Sequence, residues 1–305
     1  MADYVGGVIA MITLELAFIA VLIWLRQRCY PLQETTRAFT EQSGSSILGT
    51  PRGDRLLLAY RLCSFLYFLC VAWAWNWSKA SDGKGASQKY NYFTNWNLVL
   101  ITVYFFNAAS CSALRLLDIQ LSARHQMVAE QLCKNTARLF DVCGSCALFV
   151  TVVSYGILDH SGDQWNIIAH ITNSLFMLVE AALNDMRGSM ESFKFLLAGA
   201  YFYLIFTWGR VGTQVKSSPY FFLETSSAAA FGWYSGLLVL LYVFFVAWIG
   251  VLALKHRVAR GLGFGDSCRA ETQKQEQEGA GAMVEMGGVR LGVKGHTQPC
   301  ILLII

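Results

Sequence analysis

The sequence has few charged residues for its length. Asp, Glu, Lys and Arg make up 14% of the 305 residues, whereas a soluble globular domain has about 25%. So few charges cannot cover the surface of a soluble protein of this size, and hydrophobic residues account for 55%. The composition therefore predicts an integral membrane protein. The formal net charge of +4 is small, which argues against a surface built to bind nucleic acid.

The sequence also lacks the short motifs of common soluble enzymes. It has no G-x-S-x-G elbow, no H-E-x-x-H, no P-loop and no dinucleotide fingerprint. Most of the nine cysteines lie within apolar stretches, unlike the cysteines of a secreted disulfide scaffold. One C-x-x-C segment runs from Cys143 to Cys146 and has no second pair. We therefore predict neither a metal site nor an organic cofactor.

Long apolar stretches are what the sequence does contain. A membrane-spanning helix needs about 20 mostly apolar residues, and these stretches are too long and continuous for membrane β-strands. They predict an all-α, polytopic transmembrane helical bundle of about seven spans. The predicted spans are residues 5–25, 56–77, 96–117, 139–158, 167–183, 193–208 and 228–254.

Lys and Arg in the short loops determine the predicted orientation. Basic residues follow the first, third and seventh predicted spans, whereas the N-terminus and the loop 159–166 have none; Lys79, Lys84 and Lys89 are the contrary cluster. The balance predicts that the C-terminus is cytoplasmic. We expect the protein to lie in the membrane of the endoplasmic reticulum or in the plasma membrane. We predict three parts: an N-terminal span with a basic cytoplasmic loop (1–55), a six-span core (56–260) and a disordered cytoplasmic tail (261–305), which is rich in Gly, Gln, Glu and Lys.

Polar residues inside predicted spans are costly and are therefore candidates for function. Thr94 lies at the very start of the third predicted span, two residues before Trp96, and His170 lies about one turn into the fifth. Both spans run in the same direction, so the two side chains lie at similar depth near one membrane face. We predict that the Thr94 hydroxyl and the His170 imidazole converge there as a nucleophile–base pair. We also predict a cavity between the third and fifth spans that opens toward the outer leaflet. The alternative is that His170 only packs or bonds a neighbouring helix, which is the more common role of a lone membrane histidine.

Three segments resemble, in their order and spacing, motifs of the rolling stone and androgen-induced membrane protein family. Residues 92–99, YFTNWNLV, resemble the "YxTxxxL" opening of a span in that family. Residues 170–173, HITN, with Glu180 ten residues on, resemble its "HxTN/HT…E" span, and residues 219–224, PYFFLE, resemble its "YPFLE" element. The resemblance covers roughly residues 56–254. It implies a six-span core to which the first span and the tail are additions.

The resemblance also implies an activity. Some members of the family are threonine hydrolases that cleave fatty acid esters of hydroxy fatty acids within the membrane, with the Thr of the first motif as nucleophile and the His of the second as its partner. Carried over, these residues are Thr94 and His170. Rolling stone itself is linked to myoblast fusion, so a non-enzymatic role in cell fusion or as a scaffold is the alternative. A seven-span receptor ranks third, because no D-R-Y-like element follows the third span.

Other polar residues complete the predicted site. We expect Asn173, Asn97 and Tyr92 to bind or orient the substrate, although Asn173 could instead bond a neighbouring helix. Ten residues of helix separate Glu180 from His170 by about 15 Å, so Glu180 cannot orient that imidazole. We predict that Glu180 forms a structural ion pair at the depth of Arg61 and Arg115. The predicted partners are membrane lipids and a lipid ester substrate, with no nucleic acid.

Overall fold

Six α-helices make up most of the described chain. The computed structural model describes residues 43–80, 92–117, 123–158, 164–213, 220–223 and 229–262. Within these ranges, the β-structure consists of an isolated antiparallel bridge between Ser46 and Asn184. The helices are α1 (Pro51–Ala80), α2 (Phe93–Leu116), α3 (Ala123–Gly156), α4 (Gln164–Leu183), α5 (Phe193–Thr213) and α6 (Ala230–Gly261), and 3-10 turns span Met190–Ser192 and Phe221–Leu223.

The start of α1 shows how local sequence determines a helix boundary. Gly49 has a φ of 60°, a left-handed conformation that glycine adopts without steric cost. The Thr50 hydroxyl then caps the helix by accepting the backbone N–H of Gly53 at 3.1 Å. Pro51 stands at the first helical position, where its missing N–H has no intrahelical partner to lose. Asp54 lies in the first turn, where a negative charge interacts favourably with the helix dipole.

Helix α3 lies at the centre of the bundle. It packs against α2, α4, α5 and α6, while α1 packs mainly against α2. Aromatic rings fill the interior: Phe68 stacks on Phe105 with centroids 5.7 Å apart, and Phe140 meets Trp248 edge to face at 5.3 Å. Gly144 lets α3 and α6 approach closely, because a Cβ at this position would overlap the Trp248 ring.

Large apolar side chains cover the outward faces of the helices. On α1, Leu62, Leu66, Leu69 and Trp73 are between 46% and 66% exposed, and soluble monomers rarely expose such continuous apolar surface. These features support an integral membrane protein, with lipid around the bundle. Among the described residues, four stretches are long and apolar enough to cross a membrane: Pro51–Ala74, Phe93–Leu116, Arg124–Gly156 and Ala230–Gly261.

The predicted all-α class is confirmed for the described residues. The six predicted spans between residues 56 and 254 fall on α1 to α6 in order, and α6 ends at Gly261, where the tail was predicted to begin. The first predicted span, 5–25, lies outside the described residues, as does the tail from residue 263. The count of seven spans therefore stays a prediction.

Candidate functional site

Helices α2 and α6 begin at the end of the bundle where α3 and α5 finish. Phe93 in the first turn of α2 contacts Phe149 of α3 and Tyr203 of α5, with ring centroids 6.0 and 5.1 Å apart. In the first turns of α6, the Tyr234 hydroxyl accepts a hydrogen bond from Trp208 Nε1 of α5 at 2.8 Å. We call this the cavity end and the opposite end, where α1, α3 and α5 begin, the charged end.

A cavity of about 100 Å³ lies at the cavity end. Its walls come mainly from α3, α5, α6 and the 3-10 turn Phe221–Leu223, and most of the lining side chains are apolar. Helix α2 contributes Phe93 and Thr94, and α4 contributes His170. The cavity is therefore built largely by α3, α5 and α6, rather than lying simply between α2 and α4 as the sequence suggested. The polar lining side chains are Thr94, Ser154, His170, Tyr203, Tyr220 and Tyr234.

Thr94 reaches the cavity from the first turn of α2. Its side chain is buried, with 8% exposure. Tyr92, the residue before α2, has an extended backbone, with φ −94° and ψ 129°, and its side chain forms no hydrogen bond that caps the helix. The Thr94 hydroxyl instead forms a hydrogen bond with the side chain of Tyr220. Thr94 thus joins the start of α2 to the segment that follows α5.

His170 lines the same cavity from α4 and is 6% exposed. Helix α3 holds this part of α4 in place, because the Thr151 hydroxyl donates to the His170 carbonyl oxygen at 2.5 Å and lies 2.8 Å from the Ser174 hydroxyl. The Tyr155 ring stands nearly perpendicular to the imidazole, with centroids 6.5 Å apart. Backbone and ring contacts from α3 therefore fix where the imidazole sits.

The three residues predicted to orient substrate are not among the described residues that line the cavity. Tyr92 is 46% exposed, and its ring meets the Tyr220 ring at 5.7 Å. Asn97 is 1% exposed, and its side-chain amide has no hydrogen-bond partner among the described residues. Asn173 is fully buried on α4, one turn beyond His170. Their role toward a substrate stays a prediction.

Sequence reasoning missed four polar residues of the cavity: Ser154, Tyr203, Tyr220 and Tyr234. Ser154 is 1% exposed, and its hydroxyl has no hydrogen-bond partner within the described ranges. It is a polar residue inside a predicted span, so a complete survey of such residues would have found it. Tyr220 was part of the PYFFLE segment but received no role. No sequence pattern shows that Tyr220, Phe222 and Leu223 of this segment line the cavity.

A second polar cluster lies toward the charged end. Arg61 and Glu180 are both fully buried, and Arg61 Nη2 lies 2.6 Å from Glu180 Oε1. The Tyr104 hydroxyl and the Asn184 amide donate to the same oxygen at 2.9 and 3.0 Å. The remaining donors of the guanidinium are directed to the carbonyl oxygens of Ser43 and Ala108 and to the Ser112 hydroxyl.

The partners of Glu180 separate it from the cavity. Among the described residues, its carboxylate bonds to Arg61, Tyr104 and Asn184 and does not reach His170. Of the two arginines predicted at this depth, Arg61 is the one that pairs with Glu180. Arg115 pairs with Asp54, with Nε and Oδ2 3.0 Å apart.

Backbone bonds tie two connecting segments to this cluster. The Ile47 N–H donates to the Leu183 carbonyl oxygen at 2.9 Å, and the Asp185 N–H donates to the Ser45 carbonyl oxygen at 3.1 Å. Lys255 of α6 donates to the carbonyl oxygen of Asn184 at 3.0 Å. The segment before α1 and the segment after α4 are therefore joined to each other and to α6.

No protein-family model, curated protein or solved structure matches the chain. The resemblance to the rolling stone and androgen-induced membrane protein family stays a prediction that these comparisons leave open. The functional argument therefore starts from the geometry of the cavity.

Proposed function

We propose that this chain is an intramembrane hydrolase of lipid esters in which Thr94 is the nucleophile and His170 is the base. The observation that carries the proposal is the shared cavity. Thr94 and His170 come from different helices, are both buried, and line the same mostly apolar space. A pocket with apolar walls and a few convergent polar groups is typical of a ligand site, and a hydroxyl with an adjacent base is what acyl transfer requires.

The reaction divides into acyl transfer and hydrolysis. Thr94 Oγ bonds to the ester carbonyl carbon while His170 takes the hydroxyl proton. The tetrahedral intermediate collapses, the bond to the alcohol oxygen breaks, and His170 returns the proton to the leaving alcohol. A water molecule, deprotonated by His170, then attacks the acyl-Thr94 ester, which releases the fatty acid and restores both side chains. The scheme uses no metal or organic cofactor.

The walls of the cavity favour a lipid substrate. Most of the lining side chains are Phe, Leu, Val and Tyr, so a strongly polar substrate would lose its hydration without gaining partners. Fatty acid esters of hydroxy fatty acids, the class that the family resemblance implies, have long apolar chains around a single ester bond. They are the first substrates to test. We place the activity in the endoplasmic reticulum or plasma membrane, with the C-terminus in the cytosol.

The test of the proposal is whether Thr94 and His170 act as a unit. Purified parent, Thr94→Ala, His170→Ala and the double variant are assayed against a panel of branched lipid esters. We expect each single variant to lose nearly all hydrolysis and the double variant to be little worse, because effects within a catalytic unit are not additive. Thr94→Ser should retain part of the rate, since a hydroxyl remains. A fluorophosphonate should label the parent but not Thr94→Ala.

Thr102→Ala is the matched control. It removes another threonine hydroxyl from α2, one that bonds the Leu98 carbonyl oxygen at 2.8 Å, and it should hydrolyse and label like the parent. A parent that is inactive across the panel, together with lower melting temperatures for Thr94→Ala and His170→Ala, would contradict the hydrolase proposal. That result would favour a non-enzymatic membrane protein that acts in cell fusion or as a scaffold.

A further inference from the structure

The segment Tyr220–Leu223 forms part of the cavity wall although it lies outside the six helices. Tyr220, Phe222 and Leu223 all line the cavity, and Phe222 and Leu223 are 4% and 3% exposed. The segment is held by a chain of hydrogen bonds from α5 through α6. Trp208 Nε1 donates to the Tyr234 hydroxyl at 2.8 Å, and that hydroxyl donates to the Leu223 carbonyl oxygen at 3.0 Å. The wall is therefore anchored within three residues of Tyr220.

Tyr220 is the cavity tyrosine that contacts the proposed nucleophile. Its hydroxyl forms hydrogen bonds with the Thr94 side chain and with the backbone of Phe93 and Thr94, and its ring stacks on Phe222 with centroids 4.9 Å apart. The hydroxyl of Tyr234, by comparison, is engaged both as acceptor and as donor. Tyr220 thus places a phenol directly beside the oxygen that would attack an ester carbonyl.

The Tyr220 hydroxyl is available as a donor at physiological pH. Burial raises the pKa of Tyr220 to about 12, although the hydrogen bond with Thr94 acts in the opposite direction. A phenol with such a pKa keeps its proton, since the raised value means that ionisation begins only in strongly alkaline solution. It can therefore give a hydrogen bond without transferring the proton.

We infer that Tyr220 is a third catalytic residue, whose hydroxyl donates a hydrogen bond to the ester carbonyl oxygen and stabilises the negative charge that forms there when Thr94 attacks. The inference rests on the proposed hydrolase function. As Thr94 Oγ bonds to the carbonyl carbon, the π electron pair moves onto the carbonyl oxygen. Tyr220 keeps its own proton throughout, and its hydrogen bond strengthens as this charge develops. When the intermediate collapses, the pair returns to the carbonyl and the alcohol leaves.

Tyr220→Phe tests the inference, because it removes the hydroxyl and keeps the ring. The parent and variant are compared in kcat, KM, melting temperature and the rate of fluorophosphonate labelling. We expect kcat to fall about 100-fold, the loss typical of removing one oxyanion donor, with KM within about threefold of the parent value. The labelling rate should fall similarly, and the melting temperature should stay close to that of the parent. The kcat ratio of parent to variant should be constant between about pH 6 and pH 9, since the phenol remains protonated over that range.

Tyr242→Phe is the matched control. Tyr242 lies on α6, is 44% exposed and contacts Phe193 rather than the cavity, so its loss of a phenol hydroxyl should leave all four quantities unchanged. If Tyr220→Phe has a kcat near that of the parent, the inference is wrong. The proposed function still stands in that case, provided that the parent is active and that its activity depends on Thr94. A loss confined to KM, or one that accompanies a marked fall in melting temperature, also overturns the inference. An inactive parent instead removes the proposed function itself.

Discussion

Glu180 is a carboxylate that depends on its neighbours to remain buried. One of its oxygens accepts hydrogen bonds from Arg61, Tyr104 and Asn184, and both Glu180 and Arg61 have no exposed side-chain area. Removing one partner of a buried ion pair leaves an uncompensated charge, which costs about 3 to 5 kcal/mol. We expect Glu180→Ala to lower the melting temperature strongly, and Glu180→Gln to be milder because it keeps an oxygen acceptor. Thermal melting of the purified variants measures both.

Arg115→Ala provides the comparison for Glu180. The Arg115–Asp54 pair is partly exposed, with 35% of the Arg115 side chain accessible, and such pairs contribute about 0 to 1 kcal/mol. The melting temperature of Arg115→Ala should therefore stay closer to that of the parent than the melting temperature of Glu180→Ala does. If Glu180→Ala and Glu180→Gln instead melt like the parent and lose only hydrolysis, Glu180 belongs to the catalytic site and the structural assignment is wrong.

The sequence can indicate which polar residues matter more readily than which residues they contact. Depth along a helix follows from 1.5 Å per residue, and it placed Arg61 and Arg115 at the level of Glu180. The rotation of each helix about its axis decides which side chain meets which partner, and it depends on packing across the whole bundle. The sequence brought Thr94 and His170 to one depth, but depth alone does not show that Ser154 lines the same cavity.

Gly144 on α3 lies directly against the Trp248 ring on α6. A Cβ at position 144 would overlap the Trp248 ring, which is fully buried and has little room to move. Overpacking of this kind costs about 1 to 3 kcal/mol. We expect Gly144→Ala to lower the melting temperature by a corresponding amount, and because α3 and α6 also line the cavity, to lower hydrolysis.

Gly250→Ala on α6 is the matched substitution without a contact. A Cβ at position 250 has no neighbour within 4 Å, and alanine favours the helix over glycine. Its melting temperature should equal or slightly exceed that of the parent. Equal melting of the two alanine variants would show that Trp248 shifts freely and that the α3–α6 contact is not tight.

Hydropathy predicted the positions of the helices but not their full lengths. The predicted span 139–158 corresponds to α3, which begins at Ala123. The additional turns contain Arg124, Lys134 and Arg138, and the predicted span therefore does not extend to them. They are helical because this part of α3 packs inward through residues such as Cys133 and Ala137, which are 2% and 9% exposed. Helix α6 likewise continues past the predicted end through Lys255 and His256.

The two ends of the whole bundle differ in how they are built. At the charged end, ion pairs and backbone hydrogen bonds join α1, α2, α4 and α6 and the segments between them. At the cavity end, aromatic and aliphatic side chains surround a space that contains a few hydroxyl groups and one imidazole.

The distribution of basic residues along the bundle predicts its orientation in the membrane. Positively charged residues concentrate on the cytoplasmic side of membrane proteins. In the described helices the cavity end has Lys79 and Arg210. The basic residues toward the charged end are more numerous: Arg52, Arg55, Arg124, Lys134, Arg138, Arg187, Lys194, Lys255, Arg257 and Arg260. The charged end is therefore expected to face the cytosol, with the cavity near the outer or lumenal leaflet.

This orientation yields a prediction for the two termini. The chain leaves α6 at the charged end, so a tag at Ile305 should be accessible only from the cytosol. If residues 5–25 cross the membrane before α1, a tag after Ala2 should be accessible only from the outside or the lumen. Protease protection in sealed vesicles, with and without detergent, measures both tags in the same preparation. Two tags on the same side would contradict the seven-span prediction. The short fifth and sixth predicted spans, 167–183 and 193–208, would then be the first to re-examine, because they are not among the four described stretches that are long and apolar enough to cross a membrane.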